Sequence, residues 1–300
     1  MSDTTECRLL HVPASEDLKF LPEGPYALDD GIISWVAIQH GATAEFGSVN
    51  LLNIVEATNT SFDLPGRPGF AFPTTEPTVF VCGVERCLGR FSTRDGSWTP
   101  IFEGVDNQVT NTIINDGVVY EDNLIFGCKD LEFQTKKAGL YLWRGRDRKM
   151  IRLRDDQICS NGKAVIRDSS NATWLIDIDS PSKTVTRGRL DIENGLLEDQ
   201  EVLIDLTAED RFPDGMIVTP DCRSLIIAFY DPGDPPFGIA RQYNIQTAAV
   251  EHEWRCPGSP RVTCPQLIRL NNEVKLVLTT AVEHMERDQR ERHPNAGSLF

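Results

Sequence analysis

The chain has 300 residues and a formal net charge of −15, with 40% hydrophobic and 25% charged residues, a composition typical of a globular protein. Its acidic balance repels phosphate backbones and anionic lipids, and no apolar run reaches the roughly 18 residues of a membrane helix, so neither nucleic acid nor membrane is an expected partner. The first residues carry no basic or apolar segment of a secretory signal, and we therefore expect a soluble, cytoplasmic protein.

Short strand-like runs rich in β-branched and aromatic residues recur along the chain. The clearest lie at 31–38, 78–82, 124–127, 139–143, 174–178, 225–229 and 274–279. Turn signals separate them, and the proline-containing segments 58–76 and 230–237 are predicted loops. The segment 282–292 fits either a short solvated helix or a charged loop. This rhythm of short strands and turns predicts an all-β protein.

At three places in the middle of the chain a polar residue directly precedes a glycine, and we interpret each of these pairs as a turn. They lie about 50 residues apart, at Asn115-Asp116-Gly117, Asn161-Gly162 and Asp214-Gly215. A four-stranded propeller blade takes roughly 40–50 residues, so a chain of 300 residues holds about six blades. We predict a single domain over residues 1–300, a six-bladed β-propeller of four-stranded antiparallel blades.

Common signatures of covalent and nucleotide-dependent catalysis are missing from the sequence. It has no GxSxG elbow, no histidines in an HxH or HExxH pattern and no glycine-rich phosphate loop. The eight cysteines form no CxxC pair, so we expect buried free thiols rather than a zinc cluster or a disulfide framework.

Oxygen donors remain as candidates for chemistry. Glu23 stands in the rigid Leu-Pro-Glu-Gly-Pro segment, and Asn161 and Asp214 each precede a glycine, which lets the backbone turn sharply. One glutamate, one asparagine and one aspartate are hard ligands that suit calcium, magnesium or manganese. For each glycine pair taken alone, an ordinary hairpin turn explains the sequence equally well.

Several short motifs are spread over nearly the whole chain, in the order in which one known protein family carries them. They are Leu21-Pro22-Glu23-Gly24-Pro25, Ile114-Asn115-Asp116-Gly117, Gly139-Leu140-Tyr141-Leu142, Ile158-Cys159-Ser160-Asn161-Gly162, Pro213-Asp214-Gly215-Met216 and the segment 294–300. With them the chain resembles the family that contains senescence marker protein 30 (regucalcin), gluconolactonases and luciferin-regenerating enzyme. The resemblance implies a six-bladed propeller with one divalent metal ion at one mouth of the central channel.

The resemblance also implies roles for individual residues. Glu23, Asn161 and Asp214 would be the metal ligands, and Asn115 would sit beside the metal and orient the substrate. Glu132 falls near a family position that contacts substrate. Asp116 would be a turn residue that supports Asn115.

Two departures from the family pattern affect these expectations. Ile113 stands where sugar-lactone members usually carry an arginine, so a simple aldonolactone is in doubt as the substrate and a less polar or differently shaped one is favoured. The chain also stops within the last family strand, so the segment around residues 8–12 would be needed to close the final blade.

The resulting hypothesis is a metal-dependent hydrolase of a small cyclic ester, a lactonase, with Asp214 as general base and Asn115 and Ile113 in the substrate pocket. Calcium is the first choice of metal, and zinc, manganese, magnesium and iron are alternatives. Two other functions fit the same residues: a non-catalytic calcium-binding scaffold, and hydrolysis of a phosphotriester.

Overall fold

Six β-sheets follow one another along residues 3–300, the part of the chain that the computed structural model describes. Blade 1 contains β2 (Pro22–Asp29), β3 (Ile32–Ala37), β4 (Ser48–Asn53) and β5 (Thr58–Asp63). Blade 2 contains β6 (Pro68–Pro73), β7 (Val79–Val84), β8 (Cys87–Ser92) and β9 (Trp98–Glu103). Blade 3 contains β10 (Thr112–Tyr120), β11 (Asn123–Asp130), β12 (Ala138–Arg144) and β13 (Lys149–Gln157).

The remaining sheets differ in size. Blade 4 contains β14 (Ser160–Arg167), β15 (Thr173–Asp179), β16 (Thr184–Asp191) and β17 (Leu196–Asp205). Blade 5 contains β18 (Phe212–Val218), β19 (Ser224–Tyr230), β20 (Phe237–Asn244) and β21 (Val250–Pro257), and β1 (Asp3–Glu6) joins it parallel to β21. The last sheet has only β22 (Val262–Leu270) and β23 (Glu273–Thr280). Short helices are α1 (Glu16–Lys19), α2 (Arg287–Arg292) and a 3₁₀ helix at Ser180–Ser182.

One edge strand of every sheet faces the centre of the molecule. These six strands, β2, β6, β10, β14, β18 and β22, each contact the next, and β22 contacts β2, so they form a closed ring. Their first halves are mostly buried, whereas the fourth strands are largely exposed. Antiparallel meanders arranged radially around a central channel are a β-propeller, and the predicted fold class is confirmed.

The predicted number of blades is wrong. Five blades have four antiparallel strands, and the sixth position in the ring holds only the two-stranded sheet β22–β23. After Thr280 the chain forms loops and α2, and it returns only as far as single bridges from Leu299 to Thr279 and to His11. The strand β1 pairs with β21 of blade 5, whereas the segment around residues 8–12, which was expected to close the final blade, reaches the last sheet only through the bridge from His11 to Leu299.

Hydrophobic side chains fill the spaces between neighbouring sheets. Alternation along β15 sends Leu175 toward blade 3, while Ile176 and Ile178 pack against Leu225 and other residues of blade 5. Each such fully buried aliphatic side chain stabilises the fold by about 1.5–3 kcal/mol. The core is therefore a set of inter-blade layers around the axis, and it leaves the channel mouth free for polar groups.

Other predictions have mixed outcomes. Segment 58–76, predicted as a loop, contains β5 and β6, whereas residues 231–236 are free of strand and helix as expected. In segment 282–292, for which a short helix and a charged loop were both open, the helix α2 begins at Arg287. Within residues 3–300 all eight cysteines are free and five are buried. No helix in this part of the chain is long and apolar enough to cross a membrane.

Candidate metal and substrate site

The glycine pairs that we interpreted as turns lie inside the innermost strands. Asn115 and Asp116 are in β10, Asn161 is in β14 and Asp214 is in β18, and each lies at a break in the strand register. Glu23 lies at a similar break in β2. A β-bulge bends its strand and re-aims a side chain. The turn interpretation is therefore wrong, and the pairs direct polar groups at the channel.

At the bulges of β14 and β18, glycine is required because the innermost strands approach one another closely. A Cβ atom on Gly162 would overlap Met216 and come within 2.8 Å of the Asp214 carbonyl oxygen. On Gly215 it would lie 2.7 Å from the Cys264 sulfur. The glycines after Asn161 and Asp214 thus let neighbouring strands converge, which brings these side chains to one place.

A cavity of about 380 Å³ opens at the mouth of the channel. Its polar lining comes from Glu23, Asn115, Lys129, Asn161, Ser180, Asp214, Glu283 and His284. Its apolar lining comes from Leu21, Ile38, Phe133, Cys159, Pro181, Phe212, Pro213, Tyr230 and Pro232. A few polar groups in a mostly apolar concavity of this size are typical of a small-molecule site.

The structure brings together the four residues at the centre of the prediction, Glu23, Asn115, Asn161 and Asp214. Ile113 is buried and Glu132 is exposed, where it accepts a hydrogen bond from Asn111, and neither lines the cavity. The substrate-binding roles given to Ile113 and Glu132 therefore gain no support from the geometry and stay predictions.

Hydrogen bonds fix the orientation of the Asn161 amide. Its Nδ2 donates to Ser180 Oγ at 2.8 Å, and that hydroxyl in turn donates to the Pro213 carbonyl at 2.6 Å. Asn161 Oδ1 accepts from Asn115 Nδ2 at 2.8 Å, and the same Nδ2 lies 2.9 Å from the Ser160 carbonyl oxygen. The Asn161 oxygen consequently has a fixed position in the lining of the cavity, and an amide oxygen has a second lone pair that can bind a cation.

The two carboxylates of the site lack sufficient counter-charge. Burial raises the pKa of Glu23 to about 8, and the negative charge of Asp116 adds to the shift. Burial and the negative charges of Glu23 and Asp116 raise the pKa of Asp214 well above its usual value. The positive charge of Lys129 opposes both shifts without cancelling them. A buried acidic pair of this kind is stabilised by a bound cation.

The residues present fit a divalent metal ion only if amide oxygens take part. Among residues 3–300 no group of three or more His, Cys, Asp or Glu side chains is placed to hold a metal. Glu23 and Asp214 supply two carboxylates, and Asn161 supplies an oriented amide oxygen. Two carboxylates, one amide and water form an all-oxygen set that suits calcium.

Asp116 has a different environment from the one expected of a turn residue. It lies within β10, and its Oδ1 accepts a hydrogen bond from the Gly117 N–H at 2.7 Å. Burial raises its pKa, while the ammonium of Lys163 in the next blade lowers it. Asp116 therefore contributes negative potential beneath the site.

Asp130 holds one wall of the cavity. Its fully buried carboxylate accepts backbone hydrogen bonds from Glu132, Gln134 and Thr135, and it pairs with Lys137 at 2.9 Å. These contacts shape the loop that carries Phe133, which lines the cavity.

Sequence reasoning missed Lys129 and Ser180. Neither belongs to a recognisable motif, and both depend on contacts between blades that are distant in sequence. The one local signal is that Lys129 directly follows the uncharged run 124–128 in the buried strand β11. Charged residues are rare in buried strands.

Comparisons with known proteins agree with this architecture. Residues 21–282 match the family described as SMP-30/Gluconolactonase/LRE-like region. A Bacillus subtilis protein, whose name proposes that it is a sugar lactone lactonase, is 24% identical over 174 residues, which cover 58% of this chain and 56% of that protein. The chain spans about half the length of the curated relatives that it matches.

Solved structures share the fold. The crystal structure of regucalcin from Agrobacterium tumefaciens, described as a calcium-binding protein, has a TM-score of 0.81 at 19% identity, covering 100% of this chain and 95% of that one. A gluconolactonase from Xanthomonas campestris has a TM-score of 0.63 at 14% identity, covering 88% and 84% of the two chains.

Proposed function

The chain belongs to the SMP-30/gluconolactonase/LRE-like family, and we propose that it is a metal-dependent hydrolase of a small cyclic ester. The observation that carries the proposal is the convergence of Glu23, Asn161 and Asp214, from three different blades, on one cavity. Residues so distant in sequence meet because each lies at the bulge of an innermost strand. We also propose that residues 1–300 form one domain, which the closed ring of strands supports.

Glu23, Asn161 and Asp214 would hold the metal, with calcium as the first choice because every donor is an oxygen. When bound, such a cation polarises an ester carbonyl and makes water more acidic. Zinc, manganese, magnesium and iron remain alternatives that metal analysis distinguishes.

The side chains of this chain have separate tasks in the proposed reaction. Asp214, which is 8% exposed and lies against the cavity, accepts the proton of the attacking water. Asn115 is held by the Ser160 carbonyl and Asn161, so it presents a fixed edge to the substrate. Phe212 and Tyr230 form apolar walls that exclude bulk water and strengthen electrostatic interactions with the developing oxyanion.

A substrate panel with metal control tests this proposal. Acid release from lactones and from a phosphotriester is followed in a pH-stat on the purified protein, then after EDTA, then after calcium is restored. We expect lactone hydrolysis that chelation abolishes and calcium restores, and that is lost in Asp214→Asn but kept in Glu198→Gln, an exposed control.

Two outcomes would contradict the proposal and favour another function. Turnover of the phosphotriester alone would assign the other hydrolytic reaction to the same site. Calcium binding without turnover of any member of the panel would leave a non-catalytic calcium-binding propeller.

A further inference from the structure

Lys129 brings a positive charge to the wall of the cavity. It lies near the end of β11, directly opposite Ile113 in the strand register, and is bridged to Cys159 of the region before blade 4. Leu124, Phe126 and Cys128 pack in one inter-blade layer, so alternation places Lys129 on the opposite face of the strand. It is 8% exposed, and it lines the cavity.

The ammonium group of Lys129 has no partner among residues 3–300. The other buried lysine of the channel, Lys163, donates to the Asn161 carbonyl at 2.6 Å and lies 3.4 Å from Asp177. Lys137 pairs with Asp130. By contrast, Lys129 has no carboxylate within 4.0 Å and donates no hydrogen bond within this part of the chain. A buried charge without a partner is costly unless a ligand supplies one.

None of the other charged groups that line the cavity within residues 3–300 is a partner for the Lys129 ammonium. Glu23 and Asp214 are the proposed metal ligands. Glu283 lies beyond β23, at the two-stranded sheet, and its carboxylate lies 3.9 Å from the imidazole ring of His284. Neither Glu283 nor His284 pairs with Lys129. The cavity thus has a cation-binding side and, on the wall of blade 3, an ammonium that has no carboxylate within 4.0 Å among residues 3–300, and Phe133 belongs to the same lining.

We propose that Lys129 binds a carboxylate substituent of the substrate, so that the preferred cyclic ester is a lactone acid. The inference rests on the proposed function and names its substrate class. One ammonium without a neighbouring arginine suits a monoanion better than a phosphate dianion. The apolar walls lower the local dielectric and strengthen the charge-assisted hydrogen bond, while Phe133 packs on the carbon skeleton. Lys129 is a specificity-determining residue that takes no part in bond breaking.

A matched pair of lactones tests this assignment. The probes are 5-oxooxolane-2-carboxylate and its neutral amide, which share the ring and the ester bond. In calcium-loaded wild-type protein we expect kcat/KM to favour the carboxylate at least tenfold. Lys129→Met, of similar length but neutral, should lower that ratio at least tenfold through a higher KM for the carboxylate. Lys129→Arg should retain part of the preference, and Lys136→Met, in the exposed loop that follows β11, should retain all of it.

Two results would overturn the proposal. Equal losses toward both lactones in Lys129→Met would mean that the lysine only balances the charges of Glu23 and Asp214. An absence of preference in the wild-type protein would mean that no anion binds there.

Binding of a non-hydrolysable acid separates this inference from the proposed function. Calorimetric titration with cyclopentanecarboxylate, in the presence of calcium, needs no turnover. Binding that weakens at least tenfold in Lys129→Met would support the anion site even if no lactone were hydrolysed. Binding that is unchanged in Lys129→Met would contradict it even if neutral lactones were good substrates.

Discussion

Ser180 fixes the Asn161 amide although it lies outside the proposed ligand set. Its hydroxyl accepts from Asn161 Nδ2 and donates to the Pro213 carbonyl, so it joins blade 4 to the strand that carries Asp214. Without this hydroxyl, the amide could rotate and present nitrogen to the cation. Groups of this kind orient a ligand without touching the metal.

We expect Ser180→Ala to weaken calcium affinity by about 10–100-fold, the usual cost of losing an orienting partner. The loss of one buried hydrogen bond should lower the free energy of unfolding by only about 1 kcal/mol. Ser182→Ala, in the same 3₁₀ turn but bonded to Asp179 and Thr184, is the matched control and should bind calcium normally. Equal affinities for both variants in calcium titrations would show that Ser180 has no orienting role.

Asp130 makes the free energy of unfolding depend on pH under acidic conditions. Burial by itself raises its pKa, but Lys137 and three backbone N–H groups outweigh burial and hold the pKa at about 2. Because this lies below the unfolded value of about 3.9, the ionised carboxylate stabilises the fold above about pH 4 and loses that effect as the pH falls to about 2.

Asp130→Asn should therefore lower the free energy of unfolding at neutral pH by about 2 kcal/mol and flatten its decrease between about pH 4 and 2. Urea unfolding at a series of pH values measures both effects. A variant whose profile parallels that of the wild-type protein would contradict the assignment.

The bulges of the innermost strands determine where the site forms. Each places a polar residue at the channel, and those of β14 and β18 also place a glycine where the next strand approaches. The sequence identified the polar residues through the family motifs, but their glycines predicted hairpin turns. A bulge inside a strand and a turn between strands share Asn-Gly and Asp-Gly pairs, and only pairing with a second strand distinguishes them.

Gly162→Ala tests the close approach of β14 to β18. The added methyl group would overlap Met216, so we expect a loss of about 1–3 kcal/mol in the free energy of unfolding together with weaker calcium binding. Gly96, in an exposed hairpin with φ of +70° and nothing within 4 Å, is the control. Gly96→Ala should cost about 1 kcal/mol of backbone strain and leave calcium affinity unchanged. Unchanged calcium affinity in Gly162→Ala would show that the strand approach does not position Asp214.

The ring of sheets closes through the C-terminal residues. Leu299 is fully buried against Ile268 and Val277, and it bridges Thr279 and His11. The sequence predicted six equal blades because the number of blades was obtained by dividing the chain length by the length of one blade. It could not show that residues after Thr280 would form loops and a helix and leave the last sheet with two strands. The fold class followed from local patterns, whereas closure depends on contacts between the two ends of the chain.

Leu299→Ala should lower the free energy of unfolding by about 2–5 kcal/mol, because it opens a cavity at the closure point. Val274→Ala, on the exposed side of β23 where the side chain is 64% exposed, should change it by less than about 0.5 kcal/mol. Denaturant unfolding of both variants measures the difference. Equal effects would mean that Leu299 does not close the ring.

The central claim concerns the molecule as a whole: three blades bring Glu23, Asn161 and Asp214 to one cation. Calorimetric titration of metal-free protein with calcium tests it most directly. We predict one site per chain in the wild-type protein, an affinity reduced more than about a hundredfold in Glu23→Gln and Asp214→Asn, and no change in Glu198→Gln. Calcium binding that is the same in all four proteins would contradict the claim.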